Sequence, residues 1–180
     1  RVLEMGPDGI IFPQVSSGEE LKKAMDACLY PPKGTRGFGP RRSCGYCSED
    51  LFQYIEEAPD RMCRFAQVEH VDAVNNLEEM LKVPGLDGII LGPCDLSGSI
   101  GHLNDIFHPE VLALIDACVA KCRAAGVPIG IAVGANSEED VLFWLNRGIQ
   151  FISAGSDLSA ISSAAHAQSA MMRRVVEKLK

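Results

Sequence analysis

The sequence predicts an α/β protein in which short parallel strands alternate with helices. Three observations support this: five short apolar runs, a helical pattern after each of them, and a composition that is 47% hydrophobic but only 6% aromatic. Strands that are joined through helices run parallel to one another. The chain has 180 residues, enough for one domain that spans residues 1–180 and buries a substantial core.

The elements follow one another along the chain with recognisable start and stop signals. Ser16 or Ser17 precedes a helix whose first turn carries Glu19 and Glu20, and Gly126 stands just past the end of another helix. The predicted strands are residues 9–13, 62–69, 88–92, 128–133 and 151–154. The predicted helices are residues 16–28, 49–58, 71–81, 108–125, 137–147 and 160–180, and the chief loops are 35–43 and 93–107.

Two architectures fit this order of elements: a doubly wound open sheet, or part of a (β/α)₈ barrel. A complete barrel usually takes about 250 residues, and the strand spacing here matches one. We therefore predict a TIM (β/α)₈ barrel of which this chain contains only the last five βα units. A five-stranded part of a barrel exposes a sheet edge, so we expect this chain to be a fragment or to be completed by another polypeptide.

Charge and cysteine content exclude several classes of function. The net charge is -7, the pI is about 5.1, and no basic stripe appears, which excludes nucleic acid and anionic membrane as partners. No apolar run approaches the roughly 20 residues that span a bilayer. The seven cysteines, odd in number, predict free thiols in a cytoplasmic protein. Cys44 and Cys47 have zinc or redox spacing, but no second pair completes such a site.

Two carboxylates stand where neighbouring strands end. Glu69 closes one apolar run, and Asp95 follows the run 88–91. Because the carboxyl ends of parallel strands meet at one edge, these carboxylates are expected to bind a Mg²⁺-like cation, with water and substrate completing the shell. Each acid has an alternative role as the cap of the helix that follows it. Hard oxygen ligands accept Mg²⁺, Mn²⁺ and Co²⁺ alike.

Few other side chains are candidates for the same site. Strand periodicity places Gln67 on the face that carries Glu69. Arg36, in a Gly-rich loop, either binds an anionic group bidentately near the rim or is a solvated turn residue. Of the four histidines, His102 in the long rim loop is the one expected nearest to a substrate, and none is a convincing general base.

Five blocks carry a resemblance to a known family. They are QVE at 67–69, AVNNL at 73–77, VPGLDG at 83–88, GPCDLS at 92–97 and YPPKGTRGFG at 30–39. In this order and spacing, the blocks resemble the HpcH/HpaI aldolase family, which includes 4-hydroxy-2-oxoheptanedioate and 2-dehydro-3-deoxyglucarate aldolases. The similarity runs over essentially the whole chain.

The resemblance implies a (β/α)₈ barrel, assembled as a homo-oligomer and usually as a hexamer. It also implies class II aldol chemistry, the reversible cleavage of 4-hydroxy-2-oxo acids to pyruvate and an aldehyde. In that family, the acids at Glu69 and Asp95 bind a divalent cation that stabilises the pyruvate enolate. Gln67 contacts pyruvate, and backbone amides near Cys94 and Asp95 hold its carboxylate. Arg36 and Phe38 fall at substrate-binding places, with Phe38 lining the aldehyde pocket.

The resemblance also identifies what this chain lacks. The family's general-base histidine lies in its first three βα units, which would precede Arg1, and Glu4 falls where the family has an acid that supports that histidine. We therefore expect little or no aldolase activity from this chain alone.

Two alternatives to the aldolase function stay open. One is a carbon–carbon lyase of the citrate lyase or malyl-CoA lyase type, with Arg36, Arg41 and Arg42 as its basic patch. The other is a non-catalytic truncated barrel that acts as an assembly module.

Overall fold

A parallel sheet organises the protein. The structure is a computed structural model that describes residues 1–134 and 137–179. Within these residues, five parallel strands pair in chain order. They are β1 (Gly9–Phe12), β2 (Cys63–Val68), β3 (Gly88–Leu91), β4 (Ile129–Ile131) and β5 (Phe151–Ile152). The prediction of an α/β chain with a parallel sheet is confirmed.

Helices connect the strands, as the alternating pattern predicts. They are α1 (Gly18–Asp26), α2 (Leu51–Glu57), α3 (Val71–Asn75), α4 (Leu77–Met80), α5 (Pro93–Ser99), α6 (Pro109–Ala125), α7 (Glu138–Asn146) and α8 (Asp157–Glu177). Two 3₁₀ segments, Val2–Met5 and Arg42–Cys47, precede β1 and α2. Ser17 caps α1 by accepting a hydrogen bond from the Glu20 N–H at 3.2 Å. Gly126 ends α6 in the left-handed conformation.

The main core lies between the sheet and the helices that cross it. All four residues of β3 are buried, because strands cover both of its edges and helices cover its face. The largest fully buried side chains in this core include Leu21, Leu77, Ile89, Ile115 and Trp144. Cys118 and Cys122 lie on the buried side of α6, as predicted.

Three element boundaries differ from the prediction for local physical reasons. The helix expected over 71–81 is two short helices that meet at Asn76, whose side-chain amide donates to the Ser16 carbonyl at 2.8 Å. The loop expected over 93–107 begins with α5, because Pro93 fits the first turn of a helix. The last helix begins earlier than residue 160, since Ser156 and Ser159 form a reciprocal capping box.

The last helix, α8, is fully exposed. None of its 21 residues is buried, although Leu158, Ile161, Met172 and Val176 recur at spacings that place them on one face. No helix within the described ranges has both the length and the apolar character needed to cross a membrane.

Candidate active site at the carboxyl edge of the sheet

Glu69 and Asp95 meet where β2 and β3 end. Glu69 stands one residue beyond β2, and Asp95 lies in the first turn of α5, which follows β3. Both side chains line a cavity of about 350 Å³. Its other lining residues are Gln14, Ser16, His70 and Ser99. The parallel register therefore brings together the two acids that the sequence places 26 positions apart.

The Glu69 carboxylate is buried and fixed by two hydrogen bonds. Only 6% of the surface of Glu69 is exposed. The Gln14 backbone N–H donates to Oε1 at 2.7 Å, and the Gln67 side-chain amide donates to Oε2. Gln67 and Glu69 thus share one face of the strand, as the alternation predicts.

The surroundings of Glu69 make ionisation of its carboxyl less favourable than it is in water. Burial raises the pKa of the Glu69 carboxyl above its usual 4.5, and the neighbouring Asp95 carboxylate raises it further. The hydrogen bonds from Gln14 and Gln67 act in the opposite direction. Two close carboxylates that repel each other are a donor set suited to a hard divalent cation, which would relieve that repulsion.

Neither acid caps a helix, so the capping alternatives are wrong. The Val71 N–H donates to Ser99 Oγ at 3.1 Å, and His70 Nδ1 accepts the Asp72 N–H at 3.2 Å. No side chain caps α5, whose N-cap is Gly92. Among residues 1–134 and 137–179, no third His, Cys, Asp or Glu donor converges with Glu69 and Asp95. Water and substrate oxygens are therefore the ligands left to complete a six-coordinate shell.

Close packing at Gly92 holds the two strand ends together. A Cβ at this position would lie 2.7 Å from Gln67 Nε2 and 2.8 Å from both Cβ and Oε2 of Glu69. Only a residue without a side chain lets β3 pass the Glu69 carboxylate this closely. Cys94, two residues further on, is exposed at the start of α5.

Arg36 and Glu4 lie at the opposite end of the sheet. Arg36 is 8% exposed, and its Nη2 and Nε contact Glu4 Oε1 at 2.7 and 3.1 Å. The cavity beside them is lined by Pro7, Asp8 and Met62, which precede β1 and β2. Within one chain, Arg36 therefore does not lie at the carboxyl-edge rim beside the two acids, and that expectation is wrong. The reason is that α1 returns the chain to the amino edge before this loop begins.

Phe38 accompanies Arg36 rather than the carboxylate pair. Its ring is 62% exposed and meets Tyr30 edge-on, with centroids 5.8 Å apart. Tyr30 in turn stacks under the Arg36 guanidinium at 4.4 Å. The predicted site residues thus form two groups within one chain: Gln67, Glu69, Cys94 and Asp95 at the carboxyl edge, and Glu4, Arg36 and Phe38 at the amino edge.

Gln14 is a functional candidate that the sequence analysis missed. Its backbone φ is 55°, a left-handed conformation that residues other than glycine rarely adopt. This conformation aims its N–H at Glu69. Its position in the sequence could have identified it, because Gln14 follows the first apolar strand just as Glu69 follows the second.

Comparisons with known proteins agree with this architecture. A model of the HpcH/HpaI aldolase/citrate lyase family matches residues 1–164. The 2-dehydro-3,6-dideoxy-6-sulfogluconate aldolase of Pseudomonas putida is 36% identical over 167 residues, which are 92% of this chain and 64% of that protein. The 2-keto-3-deoxy-L-rhamnonate aldolase of Salmonella dublin is 34% identical over 176 residues, which are 97% of this chain and 65% of that protein.

A solved structure shows the same fold. The HpcH/HpaI aldolase/citrate lyase family protein from Burkholderia cenocepacia superposes with a TM-score of 0.84 at 26% identity. The match covers 96% of this chain and 67% of that one. The chain thus spans a little under two thirds of the length of the two curated relatives named above.

Proposed function

Because this chain belongs to the HpcH/HpaI aldolase/citrate lyase family, we propose that the whole protein is a class II pyruvate aldolase. It would cleave 4-hydroxy-2-oxo acids reversibly to pyruvate and an aldehyde. The observation that carries this proposal is the Glu69–Asp95 pair in a cavity at the carboxyl edge of a parallel sheet. Active sites of (β/α)₈ enzymes lie at that edge.

Glu69 and Asp95 are proposed to hold a divalent cation, Mg²⁺, Mn²⁺ or Co²⁺. When bound, the cation supplies Lewis-acid stabilisation of the negative charge that develops on the substrate's keto oxygen. The Gln14 and Gln67 donors keep the Glu69 carboxylate oriented toward the cavity. Gln67 also contacts the pyruvate moiety in this proposal, and the backbone amides of Cys94 and Asp95 bind its carboxylate.

The position of Glu4, Arg36 and Phe38 bears on the assembly. For these residues to support a base or line an aldehyde pocket, they would have to approach the carboxyl edge of another copy of the chain. We propose that the protein is a cytoplasmic homo-oligomer, with a hexamer as the expected form, and that its sheet forms the last five units of a (β/α)₈ barrel. The exposed apolar face of α8 supports the assembly.

A citrate lyase or malyl-CoA lyase type of reaction is the second candidate, and the family's description includes citrate lyase. Binding of CoA would call for a basic patch from Arg36, Arg41 and Arg42. Arg36 is buried and paired with Glu4, so it is not available for that patch. This contact favours the aldolase over the CoA-dependent alternative.

The proposed function is tested by pyruvate release from 4-hydroxy-2-oxo acids, coupled to lactate dehydrogenase, with Mg²⁺ or Mn²⁺ against EDTA. Metal-dependent release that disappears in Glu69→Ala and Asp95→Ala is the expected result for the protein that carries the base. Release that persists in EDTA and in both variants would overturn the proposal. With this chain alone we expect little or no release, and full turnover would contradict that expectation.

A further inference from the structure

We propose that His102, His108 and Glu110 form a second metal site, which takes a first-row transition ion of the Zn²⁺ class. The three side chains lie between α5 and the start of α6, outside the Glu69–Asp95 cavity. Their nearest donor atoms lie within 4.8 Å of one another. This site is independent of the proposed aldolase function.

The ligand set decides the class of ion. Two imidazoles and one carboxylate are ligands of zinc and neighbouring transition metals, whereas Mg²⁺ prefers oxygen donors. Three protein ligands would leave a fourth position for water. From Gly92 to Ala120 the sequence contains no lysine or arginine that would repel a cation.

The distance between His102 and Glu110 is close to the one that a tetrahedral ion requires. With bonds of about 2.0 Å, donor atoms in such a site lie roughly 3.3 Å apart. His102 Nε2 and Glu110 Oε2 are 3.6 Å apart. The His102 and His108 rings stack with centroids 3.5 Å apart, whereas two imidazoles on one tetrahedral ion have centroids about 5 Å apart, so one ring must rotate away from the other when the ion binds. Glu110 has a side chain that is 69% exposed, so it can move toward the imidazoles without repacking.

Backbone hydrogen bonds fix the loop that presents these ligands. The His102 N–H donates to the Ser97 carbonyl at 2.8 Å, and the Asn104 N–H donates to the buried Ser97 Oγ at 2.9 Å. The His102 carbonyl accepts the Asp105 N–H, and the Asp105 carbonyl accepts the His108 N–H. The loop is therefore organised before any ion binds, which reduces the entropic cost of binding.

One existing contact would be exchanged for the ion. His108 Nδ1 accepts the Glu110 N–H at 3.3 Å and so caps α6, which requires the neutral ring to carry its proton on Nε2. Metal binding through either nitrogen ends that arrangement. The contact is longer than a typical N–H hydrogen bond, so its loss opposes metal binding only weakly.

A bound ion would fasten this loop to the start of α6. Ser97, which anchors this loop, lies two residues beyond Asp95 in the same helix. The ion would thus stabilise the segment behind the carboxylate pair without contacting it. This assigns the site a structural role rather than a catalytic one.

The test is calorimetric titration of Zn²⁺ into the tag-free chain, together with visible absorption of its Co²⁺ form. We expect tetrahedral Co²⁺ absorption and Zn²⁺ binding that weakens at least about tenfold in His102→Gln, Glu110→Gln and His108→Asn. His108→Asn removes the imidazole but keeps a side chain that caps a helix well, so it separates metal binding from helix stability.

Two control variants make the result specific. His166→Gln changes an exposed histidine of α8 whose ring contacts Ser162 in the same helix, and Glu69→Gln changes the other proposed site. His166→Gln should leave Zn²⁺ binding unchanged, and Glu69→Gln, which loses the ion held by the Glu69–Asp95 pair, should keep the tetrahedral Co²⁺ absorption. Unchanged affinity in His102→Gln and His108→Asn would overturn the proposal. Loss of the tetrahedral Co²⁺ absorption in Glu69→Gln, or a thiolate-to-Co²⁺ charge-transfer band, would also overturn it.

Discussion

At the scale of single residues, the Glu69 carboxyl makes stability depend on pH. Its pKa is raised in the folded chain by burial and by Asp95, so the folded state binds this proton more tightly than the unfolded state. With EDTA present, the free energy of unfolding should therefore fall as pH rises from 4.5 through the folded-state pKa of Glu69. Urea denaturation from about pH 4 to about pH 7, which starts near the usual carboxyl pKa of about 4.3 and extends above it, measures this fall.

The matched variant for that experiment is Glu69→Gln, which keeps the shape but carries no charge. The difference in unfolding free energy between the variant and the original chain should grow with pH in favour of the variant. Saturating Mn²⁺ should reverse the order, because a cation stabilises the ionised form. Parallel pH profiles for the two chains would contradict the assigned environment of Glu69.

Arg36 contributes to stability through its pairing with Glu4. Arg36→Met would leave Glu4 without its cation and remove the stacking on Tyr30. Glu4 keeps partial access to solvent, so we expect a loss of about 2 to 4 kcal/mol, somewhat less than the roughly 3 to 5 kcal/mol for fully buried pairs. Urea denaturation measures it.

An exposed ion pair is the control that separates the effect of burial from the effect of removing a charge. Lys22→Met breaks the exposed pair with Asp26 and should change stability by less than about 0.5 kcal/mol. The double variant Arg36→Met with Glu4→Gln should recover part of the loss, since no charge is then left unpaired. Equal effects of Arg36→Met and Lys22→Met would show that the Arg36 pair is no stronger than a surface pair.

At the scale of elements, the end of β3 depends on Gly92. Gly92→Ala would force a methyl group against Gln67 and Glu69. We expect a loss of about 1 to 3 kcal/mol in stability, typical of overpacking, together with weaker Mn²⁺ binding. Gly37→Ala is the matched control, because a Cβ there meets nothing within 4 Å. If both variants bind Mn²⁺ as tightly as the original chain does, the close approach of Gly92 to Glu69 does not shape the Glu69–Asp95 site.

The elements also show what the sequence could predict. Strand order, helix caps and the meeting of Glu69 with Asp95 follow from periodicity, cap residues and parallel crossovers, which are local or topological rules. The amino-edge placement of Arg36 could also have been predicted, because its loop follows helix α1, and a helix between parallel strands returns the chain to the amino edge of the sheet. The break at Asn76 depends on a contact with Ser16, 60 residues away, which no local pattern encodes.

At the scale of the whole molecule, α8 is expected to mediate assembly. Its apolar face has no partner among the described residues of one chain, and burial of such a face is favourable. Met172→Glu should place a charge on that face and shift the sedimentation profile toward smaller species. Ser163→Glu, on the opposite face of the helix, should leave the profile unchanged. Identical profiles for both variants and the original chain would remove α8 from the interface.

Electron paramagnetic resonance of Mn²⁺ tests most directly whether Glu69 and Asp95 hold a cation, and it does so without requiring the catalytic base. The His102→Gln background removes the other proposed metal site from the measurement. We expect that Mn²⁺ binds, that pyruvate tightens the binding, and that Glu69→Gln and Asp95→Asn each weaken it at least about tenfold. Equal Mn²⁺ affinity in the background chain and in both variants would contradict the metal site and the aldolase proposal built on it.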